Sequence, residues 1–108
     1  MPYAAEASAE PTREEVDQMP GTVLLEFGAA HCPHCHAAQP VIQEVVGPRR
    51  DVKHIKIEDG RGKPLGRSFR VKLWPNLVLM RDGQVLEQLA RPNDEEVRAM
   101  FVKHAPGS

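Results

Sequence analysis

Thr22-Val23-Leu24-Leu25-Glu26-Phe27 is the stretch that most restricts how this chain can fold. It is β-rich, bounded by Gly21 and Gly28, and apolar on both of its faces except at Glu26. Such a strand has to be covered from two sides, as the central strand of a parallel or mixed sheet is. The remaining segments supply the covers. Thr12-Arg13-Glu14-Glu15 matches a capping box and predicts a short helix from Thr12 to Met19, ended by Pro20-Gly21. Pro33 to Val46 is helical in pattern, interrupted by Pro40, where a bend is expected, and closed by Gly47-Pro48. Val52 to Ile57 alternates as a second strand, and Glu58 to Lys63 is a glycine-rich polar turn. Pro64 to Arg70 has room for a short helix. Asn76 to Met80 and Val85 to Leu89 flank the Asp82-Gly83 turn signal and predict a hairpin. Asn93, followed by three acids, caps a last helix whose apolar stripe is Val97, Met100 and Phe101. Strands alternating with helices predict an α/β domain, a central mixed β-sheet flanked by helices in three layers. Phe27, Phe69 and Phe101 are assigned to its core.

With 108 residues the chain suffices for one domain that buries roughly two thirds of its unfolded surface. Residues 1–11, rich in Ala, Glu, Ser and Pro, are expected to form a loose arm, with at most a short edge strand through Tyr3; residues 12–108 form the domain.

The chemistry concentrates just after the central strand, in Gly28-Ala29-Ala30-His31-Cys32-Pro33-His34-Cys35-His36, which holds both cysteines of the protein. Two thiols two residues apart at the start of a helix can close a small disulfide ring and reopen it. The unsatisfied amides of the first helical turn point at the first sulfur and favour its thiolate, which makes Cys32 a candidate nucleophile. Cys35, one turn deeper, is the candidate resolving thiol that attacks a mixed disulfide on Cys32 and releases the partner.

Composition narrows the partners. Fourteen Lys and Arg against fifteen Asp and Glu leave the charge nearly balanced, and no basic run interleaved with aromatics points to nucleic acid. No stretch reaches the roughly 18 apolar residues of a membrane span. A protein or a small thiol is the expected partner. Cysteines spaced for each other fit a catalytic or metal-binding pair rather than a secreted disulfide framework. Met1 to Thr12 lacks a basic residue and an apolar core, so no secretory signal is read there and a cytoplasmic location is expected.

From Thr22 to His104 the chain resembles thioredoxin. The resemblance rests on Leu25-Glu26-Phe27 before the site, Cys32-Pro33-His34-Cys35, Pro40, Trp74-Pro75 before a strand, and Asp82-Gly83. It implies the thioredoxin fold, thiol-disulfide oxidoreductase activity without a cofactor beyond the Cys32-Cys35 pair, and a monomer that meets protein disulfides and a recycling reductase or oxidase. It also implies that Pro75 is a cis-proline facing the cysteines, with the backbone of Trp74 pairing with an extended substrate. Glu26 stands where the family has a buried acid that moves a proton for the second cysteine. Burial would raise its pKa and suit it to that task. Trp74 is read as a wall of the substrate groove.

The departures from the family are local. Gly28 and His31 stand where thioredoxins usually carry tryptophans, and Pro33-His34 replaces their Gly-Pro. The dipeptide resembles that of the periplasmic oxidases of the DsbA type, whose inserted helical domain does not fit into 108 residues. A histidine between the cysteines favours the Cys32 thiolate, stabilises the reduced form and so predicts a pair more oxidising than a Gly-Pro thioredoxin. His31 and His36 flank the motif, as substrate contacts or as solvated side chains. His54 falls near the acid, where thioredoxins often place a lysine, yet is assigned as an exposed strand histidine. A second reading comes from the packing of five soft or borderline ligands into residues 31–36. A closed zinc site draws on two separated pairs and no second pair exists, so a metal or iron-sulfur cluster would have to be shared by a dimer.

Overall fold

The computed structural model describes residues 10–105; the arm and edge strand expected at 1–11 lie outside them except for Glu10 and Pro11, which have no regular structure. The elements are α1 (Arg13–Asp17), β1 (Thr22–Gly28), α2 (Pro33–Val46), β2 (Val52–Glu58), α3 (Pro64–Ser68), β3 (Asn76–Arg81), β4 (Gln84–Ala90) and α4 (Asp94–His104). They form one mixed sheet in the order β2-β1-β3-β4. β1 runs parallel to β2, with Glu26 opposite Lys56, and antiparallel to β3, with Glu26 opposite Leu77. The strand that is apolar on both faces is therefore interior, and each face has its own core. Leu24 packs with Val41, Ile42 and Val46 of α2 and Val97, Met100 and Phe101 of α4. Val23, Leu25 and Phe27 pack with Val16 of α1, Leu65 of α3 and Phe69. All three phenylalanines are buried.

Local chemistry sets the ends of the helices. The Thr12 hydroxyl accepts the Glu15 N–H at 3.1 Å and the Glu15 carboxylate accepts the Thr12 N–H at 2.8 Å. Asn93 and Glu96 repeat that exchange at the start of α4. α2 continues through Pro40, which has no amide to give the preceding turn. α1 stops at Asp17 rather than Met19, and Met19 packs against the second core. α3 stops at Ser68 because Arg70 turns left-handed (φ 58), so that Arg70 N–H bonds the Arg67 carbonyl and Val71 N–H the Gly66 carbonyl, a Schellman ending.

The hairpin between β3 and β4 turns on Asp82 (φ 50) and Gly83 (φ 82), the paired positive φ of a type I′ turn. Gly21 ties it to the entry of β1: its N–H donates to Asp82 Oδ1 at 2.7 Å and its carbonyl accepts the Asp82 N–H at 3.0 Å. A Cβ on Gly83 would lie 2.1 Å from the Asp17 carbonyl oxygen, whereas one on Gly62 (φ +78) would meet nothing within 4 Å. Gly62→Ala is therefore expected to lose only the left-handed penalty of about 1–2 kcal/mol, and Gly83→Ala clearly more, as measured by urea unfolding of the two variants side by side.

Candidate active site

The parallel pairing of β1 and β2 brings the chain out at Gly28, and four residues later Cys32 caps the N-terminus of α2. Its backbone is extended (φ −96, ψ 110), and its Sγ accepts the Cys35 N–H at 3.1 Å, as a Ser or Asp oxygen would at a helix start. The turn before it is held by the Cys32 N–H on the Ala29 carbonyl at 3.2 Å and by His36 Nε2, 2.6 Å from the Ala30 carbonyl. That second contact makes Nε2 the protonated ring nitrogen. Both cysteines are free. They form a small apolar cluster with Ala29, and Trp74 packs against it. Cys32 keeps 5% of its surface and Cys35 none. Burial, first, and the hydrogen bond with the Cys32 thiol, second, push the Cys35 thiol up to about 12. The Ala29 backbone opposes this, and the charges of Cys32 and Glu26 add to it.

Glu26 is fully buried beneath this turn. Oε2 accepts the Gln39 side-chain amide at 2.7 Å, and Oε1 lies 2.7 Å from His54 Nε2. The same Gln39 nitrogen donates to the Cys35 carbonyl at 3.0 Å, and the Gln39 oxygen accepts Lys56 Nζ at 2.7 Å. A relay of polar groups thus joins the acid to the backbone of the second cysteine. His54 is an exposed strand residue, as expected, but it is also a partner of the acid. Its side chain is 26% exposed, but its ring nitrogen is committed to Glu26, because β2 presents His54 and Lys56 on the face that carries Leu24 and Glu26.

The Trp74-Pro75 peptide is cis, and Pro75 is buried. Trp74 Nε1 donates to Asp59 Oδ2 at 2.9 Å, and its ring meets that of His31 edge to face, centroids 6.2 Å apart. Arg91 clasps this segment, donating from Nε to the Trp74 carbonyl at 2.9 Å and from its backbone N–H to the Pro75 carbonyl at 2.8 Å. Pro33, His34 and His36 are exposed on the first turn of α2, and the His34 ring makes no hydrogen bond among the described residues. Cys32, Cys35, Trp74 and His31 are thus brought together, with Glu26 one layer below.

Four partners were not anticipated from the sequence. Gln39 and Lys56 carried a signal: Gln39 follows Cys35 by four residues, hence on one helix face, and Lys56 is the register partner of Glu26. Asp59 and Arg91 lie on loops, where spacing carries no such information.

The thioredoxin family model matches residues 4–104. The chain belongs to the thioredoxin family. It is a thiol-disulfide oxidoreductase. The reduced form of thioredoxin 2 from Pseudomonas aeruginosa PAO1 is 42% identical, with 95% of this chain and 97% of that one superposing at a TM-score of 0.75. Thioredoxin H5 of Arabidopsis thaliana is 24% identical over 82 residues, 76% of this chain and 70% of its own length. Thioredoxin f2 of Chlamydomonas reinhardtii shares the fold at a TM-score of 0.76 with 19% identity, over 91% and 96% of the two chains. In this thioredoxin domain no group of three or more His, Cys, Asp or Glu side chains among the described residues is placed to hold a metal ion. Nor is any described helix long and apolar enough to cross a membrane.

The raised Cys35 thiol has a consequence for stability. From its ordinary value of 9.0 to about 12 the folded chain keeps a proton that the unfolded chain has released. The unfolded state then binds fewer protons, so unfolding free energy falls as pH rises through that window. Urea titrations of the reduced protein from pH 8 to 11 should show this decline, and Cys35→Ala should lack that part of it.

Proposed function

We propose that this thioredoxin-family domain exchanges disulfides with protein and small-thiol partners through Cys32 and Cys35, at a potential more oxidising than that of a Gly-Pro thioredoxin. The Cys35 N–H aimed at Cys32 Sγ carries the reading, since an amide donor at a helix N-terminus favours negative charge on that sulfur. In the reducing direction the Cys32 thiolate attacks one sulfur of the partner's disulfide. A new S–S bond forms to Cys32, the partner's bond breaks, and its other sulfur leaves as a thiolate that takes up a proton. Cys35 then attacks Cys32 Sγ, closing the Cys32-Cys35 disulfide and releasing the second partner thiolate. The proton that Cys35 gives up passes to Glu26, to which Gln39 links the Cys35 backbone. His54 joins Glu26 to the solvent side of β2. Trp74, Pro75 and His31 form the wall against which an extended partner lies. The Trp74 carbonyl already holds Arg91, so its second lone pair or the Trp74 N–H would serve the partner.

Pro33-His34 is the feature that supports the more oxidising potential: the exposed His34 ring, two residues after Cys32, favours the Cys32 thiolate when it carries its second proton. Residues 12–108 are taken as one working domain that acts as a monomer in the cytoplasm, with a reductase or oxidase restoring its redox state. The competing reading, a metal or iron-sulfur cluster shared by two copies, calls for stoichiometric metal or colour in protein purified under reducing conditions; disulfide exchange calls for two titratable thiols and neither of these.

Two measurements test the proposal. Equilibration against glutathione should place the pair above about −270 mV, a typical thioredoxin value, and Pro33→Gly with His34→Pro should lower it by a few tens of millivolts, about 30 mV corresponding to 1.4 kcal/mol. A wild-type value at or below that of thioredoxin rejects the tuning. In stopped-flow exchange Glu26→Gln should slow release of the second partner thiol by about 10²-fold while sparing formation of the mixed disulfide. Release at the wild-type rate rejects Glu26 as proton acceptor.

A further inference from the structure

A cavity of about 320 Å³ opens between α3 and the segment leading to the cis-proline. Lys63, Arg67, Arg70 and Lys72 line it, with Asp59 as its one acid. The Asp59 carboxylate is engaged by the Trp74 indole, and Trp74 packs in turn against the cysteine cluster, so one residue links the lining of the cavity to the active site. None of the four cations forms an ion pair or donates a side-chain hydrogen bond among the described residues. Arg70 stands at φ 58, the left-handed end of α3 that glycine fills without strain. Glu10 lies near Lys63; burial, first, holds its carboxyl above the ordinary value, Lys63 opposes this, and Asp59 and Glu58 add to it. In a protein whose charges otherwise nearly cancel, four unpaired cations around one cavity make a local positive field.

We infer that this cavity is a docking site for an acidic segment of the protein disulfide substrate. The inference deepens the exchange reading above and rests on it. Because Trp74 alone links Asp59 to the cysteine cluster, acidic residues close in sequence to the substrate cysteine are the ones that would reach the cavity. Carboxylates there would gain from Arg67, Arg70 and Lys72 in particular, since Lys63 already has Glu10 nearby. The site selects among partners and takes no part in the thiol chemistry.

The test uses two disulfide-linked peptides, one with Glu at positions two to four on both sides of its cysteine and one with Gln there, together with uncharged 2-hydroxyethyl disulfide. The reduced full-length protein should react about tenfold faster with the Glu peptide than with the Gln peptide at low salt, and the gap should close at high salt. A variant carrying Lys63→Gln, Arg67→Gln, Arg70→Asn and Lys72→Gln should lose the preference yet reduce 2-hydroxyethyl disulfide at the wild-type rate. Asn is chosen for position 70 because it tolerates the left-handed backbone. Equal rates for the two peptides in the wild type, or a preference that survives in the variant, overturns the docking site while 2-hydroxyethyl disulfide reduction stands. A wild type that reduces none of the three overturns the exchange reading and the docking site with it.

Discussion

A carboxylate removed from water loses several kcal/mol of hydration unless charge and hydrogen bonds replace it, and Glu26 has no exposed surface at all. Satisfying that one group organises the thiol end of the molecule. Gln39 reaches Oε2 from α2 and His54 reaches Oε1 from β2, each at 2.7 Å. Lys56, facing Glu26 across the parallel pair, holds the Gln39 oxygen at 2.7 Å and so fixes which end of that amide points at the acid. No buried side-chain nitrogen or oxygen among the described residues lacks a partner. The amide that serves Glu26 also serves the Cys35 carbonyl. The register of β2 on β1 is therefore transmitted, through two side chains, to the first turn of the helix that bears the cysteines.

That first turn makes the two sulfurs unequal. Cys32 is at the cap, where an amide points at its sulfur and a sliver of surface remains. Cys35 lies one turn deeper, with no exposure and a thiol that holds its proton far above neutrality. An outside disulfide can reach only the first. In the proposed exchange the second loses its proton as it attacks, and the buried Glu26 is the group proposed to accept it.

Much of this arrangement was legible in the sequence because its signals were local or periodic. Apolar residues on both faces of Thr22 to Phe27 required an interior strand, and β1 is interior; Pro33 to Val46 begins and ends where its cap, its prolines and Gly47 put it. The capping box at Thr12 and the Asp82-Gly83 turn are satisfied within four residues and needed no tertiary information. What was missed depends on contacts between distant segments. His54 sits in an alternating strand whose polar positions normally face water, and only the parallel register with β1 turns it onto Glu26. Arg70 ends α3 in a conformation that sequence assigns to glycine, which is why the helix was expected to run longer.

Trp74 ties three loops together beside the thiols. Its indole N–H goes to Asp59 on the loop after β2, its carbonyl to Arg91 after β4, and its ring edge to His31 on the loop before α2. None of these residues contributes to either of the two large cores, so each can change without disturbing the sheet. The thiols, by contrast, are held by β1 and α2, whose remaining side chains fill those cores. Gly28 leaves the end of β1 without a side chain, and Trp74 supplies the aromatic surface over the thiols from the opposite loop. A scaffold that fixes the thiol pair rigidly while loops build its rim can keep one reaction and change its partners. The cations around Asp59 belong to that rim, one tryptophan away from the cysteine cluster.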